Sequence, residues 1–296
     1  MPNRSNYCFL GIADHQGVQN VGGRIGAAQG PEAFRNQWLR LQGRHPLQKD
    51  VLDLGDIKPA TTEVRQTFEK VAETLASVHS KPNRVSLVVG GGHDHGFSHI
   101  LGLKRGLENN QEFLSAHNGK VKLGCINIDA HLDVRKISAT DPVLSGSPFY
   151  LALESGVLLS EDFIEFGIQS HCNSRELWNY VEHKGVRVVA LEELRQGKAV
   201  ESFTRSLELL SKTCDAIAVS LDLDSVAQVY APGVSAPQAE GLTSSEIIEM
   251  VEFCGTSRKV HSLGIFELNP HHDEQDRTAR LAATLAYHFF DKVIYH

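Results

Sequence analysis

Short runs of β-branched and apolar residues alternate along the chain with longer stretches whose apolar positions recur every three to four residues. The short runs predict strands over Tyr7–Ile12, Val51–Ile57, Arg84–Val89, Val121–Asp129, Phe163–Ile168, Val186–Leu191, Ala216–Asp222 and Val260–Leu268. The longer stretches predict helices. "PEAFRNQWLRL" carries Pro31 where a first helical turn tolerates it. "TEVRQTFEKVAETLASV" and "DEQDRTARLAATLAYHFF" have helical spacing, and "SRELWNYVEHKG" closes at Gly185. In "TSSEIIEMVEFC", Thr243 and Glu246 have the spacing of a capping box.

Strands alternating with helices imply a parallel sheet covered on both faces. The pattern fits an α/β fold, a three-layer αβα domain with a mostly parallel sheet of about eight strands. Alternation alone is equally compatible with a closed eight-stranded barrel. No low-complexity linker, internal repeat or shift in composition divides residues 1–296, so one domain is expected.

The ends of the strands are chemically dense, where open α/β sheets place their ligand sites. "SLVVGGGHDH" runs through three glycines into His93, and "CINIDAHLDV" into Asp129, His131 and Asp133. "AIAVSLDLDSV" reaches Asp222 and Asp224, and "SLGIFELNP" reaches Glu267. In extended chain, residues two apart share a face, so Asp129, His131 and Asp133 converge if the last bends inward. Four aspartates in one small site repel unless protonated or neutralised by cations. Two divalent ions would balance them, and carboxylates can bridge such a pair. Carboxylates and imidazoles without thiolate favour a harder ion such as manganese over structural zinc.

Composition narrows the class. A net charge of −7 argues against a nucleic-acid partner, and no apolar run is long enough to span a membrane. The first fifteen residues lack the apolar core and cleavage pattern of a signal peptide. Five scattered cysteines, never in a C-x-x-C pair, fit free thiols in a reducing cytoplasm. The glycines at 90–92 are expected to permit the turn that aims His93, and no G-K-[ST] follows to make them a phosphate loop.

"GGGH", "DAHLD" and "SLDLD", in this order, resemble the metal signatures of the ureohydrolase (arginase and agmatinase) superfamily. "GVQNVGGRIGAAQGPEAFR" and "FELNPHHDEQDRTARLAA" resemble its terminal segments, so the likeness covers nearly the whole chain. The resemblance implies the arginase-like fold, a hydrolase of linear amidines and a cofactor of two Mn²⁺ per subunit. It implies that His93, Asp129, Asp133 and Asp222 hold one ion and Asp129, His131, Asp222 and Asp224 the other, with a hydroxide between them. Asp133 would carry the proton, and Glu267 would bind the amidine end of a small-molecule substrate. A homo-oligomer is implied as well.

"DAHLDVR", "SGSPF", "GIQSHCNS" and "YAPGVSAP" resemble the formimidoylglutamase branch, which hydrolyses N-formimidoyl-L-glutamate to glutamate and formamide in histidine degradation. A substrate with two carboxylates needs a cation near the metal site; Arg135 is the candidate clamp and Arg24 a weaker one. Ser145 stands where arginases carry a histidine and would touch substrate or hold its loop. Two other readings stay open: a guanidino hydrolase of the agmatinase or arginase kind, and a catalytically silent binding protein on the same fold. The roles of His95, His99, His171, His271 and His272 are open too, a metal role for the first two being the less expected one.

Overall fold

The computed structural model describes residues 6–59 and 63–295. Its strands are β1 (Tyr7–Ile12), β2 (Leu52–Ile57), β3 (Val85–Val89), β4 (Leu123–Ile128), β5 (Phe163–Ile168), β6 (Arg187–Ala190), β7 (Ala216–Asp222) and β8 (Val260–Phe266). They form one sheet in the order β2-β1-β3-β8-β7-β4-β5-β6, with parallel neighbours throughout. β2 and β6 are free edges, so the sheet is open and the barrel alternative falls. Helices cover both faces, giving the three-layer αβα arrangement.

β4, β5 and β7 are buried at every position, as expected of central parallel strands enclosed by helices. The helix Gly30–Trp38 packs on Arg277–Tyr295, where Trp38 meets Phe290 edge-on with ring centroids 6.3 Å apart. On Ser244–Thr256 the capping box closes as expected: Thr243 Oγ1 accepts from the Glu246 amide at 3.2 Å, and the Glu246 carboxylate accepts from the Thr243 amide at 2.8 Å. Gly185 caps Arg175–Lys184 in the left-handed conformation, φ 71°.

The last helix starts later than its pattern suggests, at Arg277. Asp273 caps it instead of joining it, accepting from the amides of Thr278 and Ala279 at 2.9 and 3.0 Å. Gly96–Glu108 and Ala199–Thr213 are long helices beyond the five expected. The first contains three glycines, which lower helix propensity. Two of them are packing requirements: a Cβ at Gly102 would stand 2.7 Å from Leu75, and one at Gly106 2.6 Å from His79, both on the neighbouring helix Val64–His79.

The sheet order brings β3, β8, β7 and β4 side by side in its middle. The C-terminal ends of these strands, and the segments leaving them, carry His93, Glu267, Asp222 and Asp129.

Candidate metal centre and substrate cavity

His93 begins a short 3₁₀ turn after β3. None of the three glycines before it has a positive φ, so they do not serve as a left-handed turn. They are required by close approach: a Cβ at Gly91 would overlap the backbone of Asp14, and one at Gly90 would overlap the Phe266 ring.

β4 ends at Ile128, so Asp129, His131 and Asp133 project from the loop after it and not from alternate positions of a strand. Asp129 folds that loop itself, its Oδ1 accepting from the His131 amide at 2.7 Å. Asp133 adopts φ 45°, an uncommon conformation for a residue with a side chain, which turns it back toward the other ligands. Asp222 is the last residue of β7 and repeats the device, its Oδ1 accepting from the Asp224 amide at 2.8 Å. Glu267, just past β8, is also left-handed, φ 66°.

These turns bring the side chains together. His93 Nδ1 lies 3.0 Å from Asp129 Oδ2, 3.0 Å from Asp133 Oδ2 and 3.1 Å from Asp222 Oδ2. His131 Nδ1 lies 3.0 Å from Asp224 Oδ2 and 3.6 Å from Asp129 Oδ1. Donor atoms of His93, Asp129, Asp133 and Asp222 fall within 4.8 Å of one another, as do those of Asp129, His131 and Asp224. Asp129 alone joins both groups. Asp222, expected to serve both ions, falls in the first group, and its Oδ1 also accepts from the Asp224 amide, as Asp129 Oδ1 does from His131.

The electrostatics are those of a site built around positive charge. Burial pushes up the pKa of Asp222, and Asp224 and Asp129 push it further, well above the carboxylate range. Burial likewise lifts Asp224 to about 6, and Asp133 rises through burial and the charge of Asp129. Burial disfavours a charged His93, but the three carboxylates outweigh it and raise its pKa well above normal. His131 is raised too, the nearby Asp224 overcoming its burial. His93 Nδ1 and Asp224 Oδ1 are buried without a hydrogen-bond partner. Orphaned donors among crowded carboxylates, with no thiolate, fit a pair of hard divalent cations.

Surrounding contacts fix the ligands. Ser220 Oγ meets His93 Nε2 at 2.8 Å, leaving Nδ1 to face the carboxylates. Asn173 Oδ1 accepts from the Leu132 amide at 2.8 Å, and its Nδ2 donates to the Ala130 carbonyl at 3.0 Å. Glu267 Oε1 accepts from the His93 amide at 2.9 Å and Oε2 from the Ser235 hydroxyl. Burial raises the Glu267 pKa to about 7 despite these bonds. Ser220 lies in "SLDLD", Asn173 in "GIQSHCNS" and Ser235 in "YAPGVSAP", but only the fold shows which contact each one makes.

A cavity of about 140 Å³ opens over the cluster, lined by His93, His131, Asp133, Asp222, Asp224 and Glu267, and farther out by Arg135, Ser145, Cys172, Asn173 and Leu177. Arg135 is exposed and has no carboxylate partner among the described residues. Arg24 does not reach the cavity; its guanidinium donates to the Val234 and Ser235 carbonyls and braces that loop. His95 and His99 are buried and diverge, His95 toward Asp14 at 3.2 Å and His99 toward Ser262 at 2.6 Å, so they do not form a metal pair. His171, His271 and His272 are exposed and lie outside the cavity wall.

Residues 6–291 match the family model described as Arginase family. The chain belongs to the arginase family. Among its relatives, the formimidoylglutamase of Staphylococcus carnosus is 31% identical over 95% of this chain and 84% of its own length. That of Clostridium tetani is 28% identical over 97% and 82%. The crystal structure of Trypanosoma cruzi formiminoglutamase with Mn²⁺ superposes with a TM-score of 0.82 and 30% identity, covering 96% of this chain and 92% of that one. These arginase-family relatives also agree with the open eight-stranded sheet. No described helix is long and apolar enough to cross a membrane.

Proposed function

We propose that this arginase-family chain is a manganese-dependent formimidoylglutamase, hydrolysing N-formimidoyl-L-glutamate to L-glutamate and formamide. The observation that carries the reading is the pairing, in one cavity, of the aspartate–histidine cluster with an unpartnered guanidinium. His93, Asp129, Asp133 and Asp222 would hold one Mn²⁺, and Asp129, His131, Asp222 and Asp224 the other. When bound, the two ions supply Lewis-acid activation of water near neutral pH.

The remaining steps belong to the chain. Glu267, anchored through the His93 amide and Ser235, receives the formimidoyl nitrogen by a charge-assisted hydrogen bond. Asp133 accepts the proton of the attacking water and delivers it to the glutamate nitrogen as the C–N bond breaks. Arg135 binds a substrate carboxylate with its fork of donors, and Ser145 contacts the same end. The cavity wall favours this substrate over agmatine or arginine: its acids are all donors of the cluster or Glu267, leaving none for a cationic tail. The intact donor set weighs against a silent binding protein.

The continuous sheet supports one catalytic domain over residues 1–296. Five free thiols support a cytoplasmic setting. The family resemblance supports a homo-oligomer, which light scattering would measure. The deciding assay follows formamide and glutamate release by the Mn²⁺-loaded protein. Turnover of agmatine or arginine without turnover of N-formimidoylglutamate would overturn the substrate assignment, and Mn²⁺ binding with no turnover of any of them would favour the silent reading.

A further inference from the structure

A row of polar side chains crosses the sheet one pleat below the donors. Glu165 of β5 stands in register with Asn127 of β4, and Asn127 with Ser220 of β7. All three are fully buried. On β4 and β7 a polar residue stands two positions before the aspartate: Asn127 before Asp129, Ser220 before Asp222. Ser220 is accounted for by His93. Asn127 Nδ2 reaches Asp129 Oδ2 at 3.2 Å and Glu165 Oε2 at 2.9 Å. Glu165 takes no part in the reaction, and Asn127 is its hydrogen-bond partner in an otherwise apolar surrounding that includes Cys125 and Phe163.

We propose that Glu165 is a positioning residue for the metal centre: through Asn127 it fixes the orientation of Asp129, the donor common to both groups, and so sets the affinity for divalent cations. The amide of Asn127 can rotate about its last torsion, which is broad for a planar terminal group. Two acceptors, Asp129 Oδ2 and Glu165 Oε2, share its Nδ2 and hold it in one orientation. With Glu165 removed, one N–H would lie in a dry core without an acceptor, a loss larger than that of an exposed hydrogen bond. The amide would then turn away and release Asp129 Oδ2. Asp129 keeps its bond to the His131 amide, so its position would loosen and not collapse. Burial raises the Glu165 pKa well above the carboxylate range, with Asp129 and Asp133 raising it further.

The inference rests on the two-cation reading, and calorimetric titration of metal-free protein with Mn²⁺ separates the two. Glu165→Met keeps the volume but removes the acceptor, and should weaken Mn²⁺ binding by about tenfold to a hundredfold, the usual effect of losing a group that orients a ligand. Glu165→Gln keeps an oxygen for Asn127 and should bind like the parent. If Glu165→Met fails to fold, Asn127→Ser breaks the same link with Glu165 in place and should show the same loss. Raising Mn²⁺ to saturation should restore most of the turnover in any weakened variant. Parent-like affinity in Glu165→Met or in Asn127→Ser overturns the proposal, as does equal weakening by Gln and Met. A parent protein that binds no Mn²⁺ removes the two-cation reading and the brace together.

Discussion

The floor of the cavity and its rim solve the problem of holding polar groups by opposite means. On the floor, His93, Asp129, Asp222 and Asp224 are each no more than 3% exposed, and backbone amides or neighbouring side chains fix them before any ligand arrives. Their carboxylates repel one another, so the arrangement is strained by charge and relieved by cations. At the rim, Arg135 is exposed, and its guanidinium lacks a carboxylate partner among the described residues. The floor stores its specificity in geometry; the rim keeps an unspent charge for the substrate. A change on the floor should therefore act on metal binding, and one at the rim on substrate binding.

The largest effect that would test this division comes from Asp129→Ala, since Asp129 alone joins both donor groups. Removing it leaves His93 and His131 without a shared partner. Breaking a buried charge pair costs about 3–5 kcal/mol, equivalent to roughly a hundredfold to several thousandfold. Turnover should fall by at least that factor, and metal analysis should show fewer than two Mn²⁺ retained per chain. An Asp129→Ala variant that keeps two ions and its activity would break the floor reading outright.

At the rim the signature should be the reverse. Arg135→Ala should raise KM for N-formimidoylglutamate by about tenfold to a hundredfold, the worth of a hydrogen bond to a charged group. Bound manganese should stay unchanged. Arg135→Lys should recover little, because an ammonium cannot reproduce the two-pronged contact. A fall in metal content with unchanged KM would place Arg135 with the floor and end the distinction.

The floor was more legible in the sequence than the rim, for a physical reason. Metal donors cluster within a few residues after a strand, so "DAHLD" and "SLDLD" announced themselves beside β-like runs. Tyr7–Ile12, Phe163–Ile168 and Ala216–Asp222 coincide with their strands because apolar runs flanked by turns leave little choice. The inward bend expected at Asp133 is present as a left-handed backbone, while the Asx-type turns at Asp129 and Asp222 are not encoded in side-chain periodicity. The contacts of Glu165, Asn127 and Ser220 depend on β4 lying between β5 and β7, which the motifs around them do not specify. Alternation of strands and helices specifies parallel pairing but not which strands are neighbours.

Asn173 crosses the boundary and gives the smallest and sharpest test. It lines the cavity near Arg135, so by position it belongs to the rim and invites assignment as a substrate contact. Its amide is already occupied: Oδ1 holds the Leu132 amide, and Nδ2 holds the carbonyls of Ala130 and Gln169. Leu132 and Ala130 alternate with Asp129, His131 and Asp133, so the clamp grips the backbone between three donors. By function Asn173 is then part of the floor. If the loosened loop passes on to the metal the worth of about one neutral hydrogen bond, about 0.5–1.5 kcal/mol, Asn173→Ala weakens Mn²⁺ binding by roughly threefold to tenfold. Turnover should fall at limiting Mn²⁺ and recover when the metal is saturating, with KM for the substrate unchanged. A raised KM at saturating Mn²⁺ would mean that the side chain releases the ligand loop to take hold of substrate, and position would then outrank hydrogen bonding as the guide to what a cavity residue does.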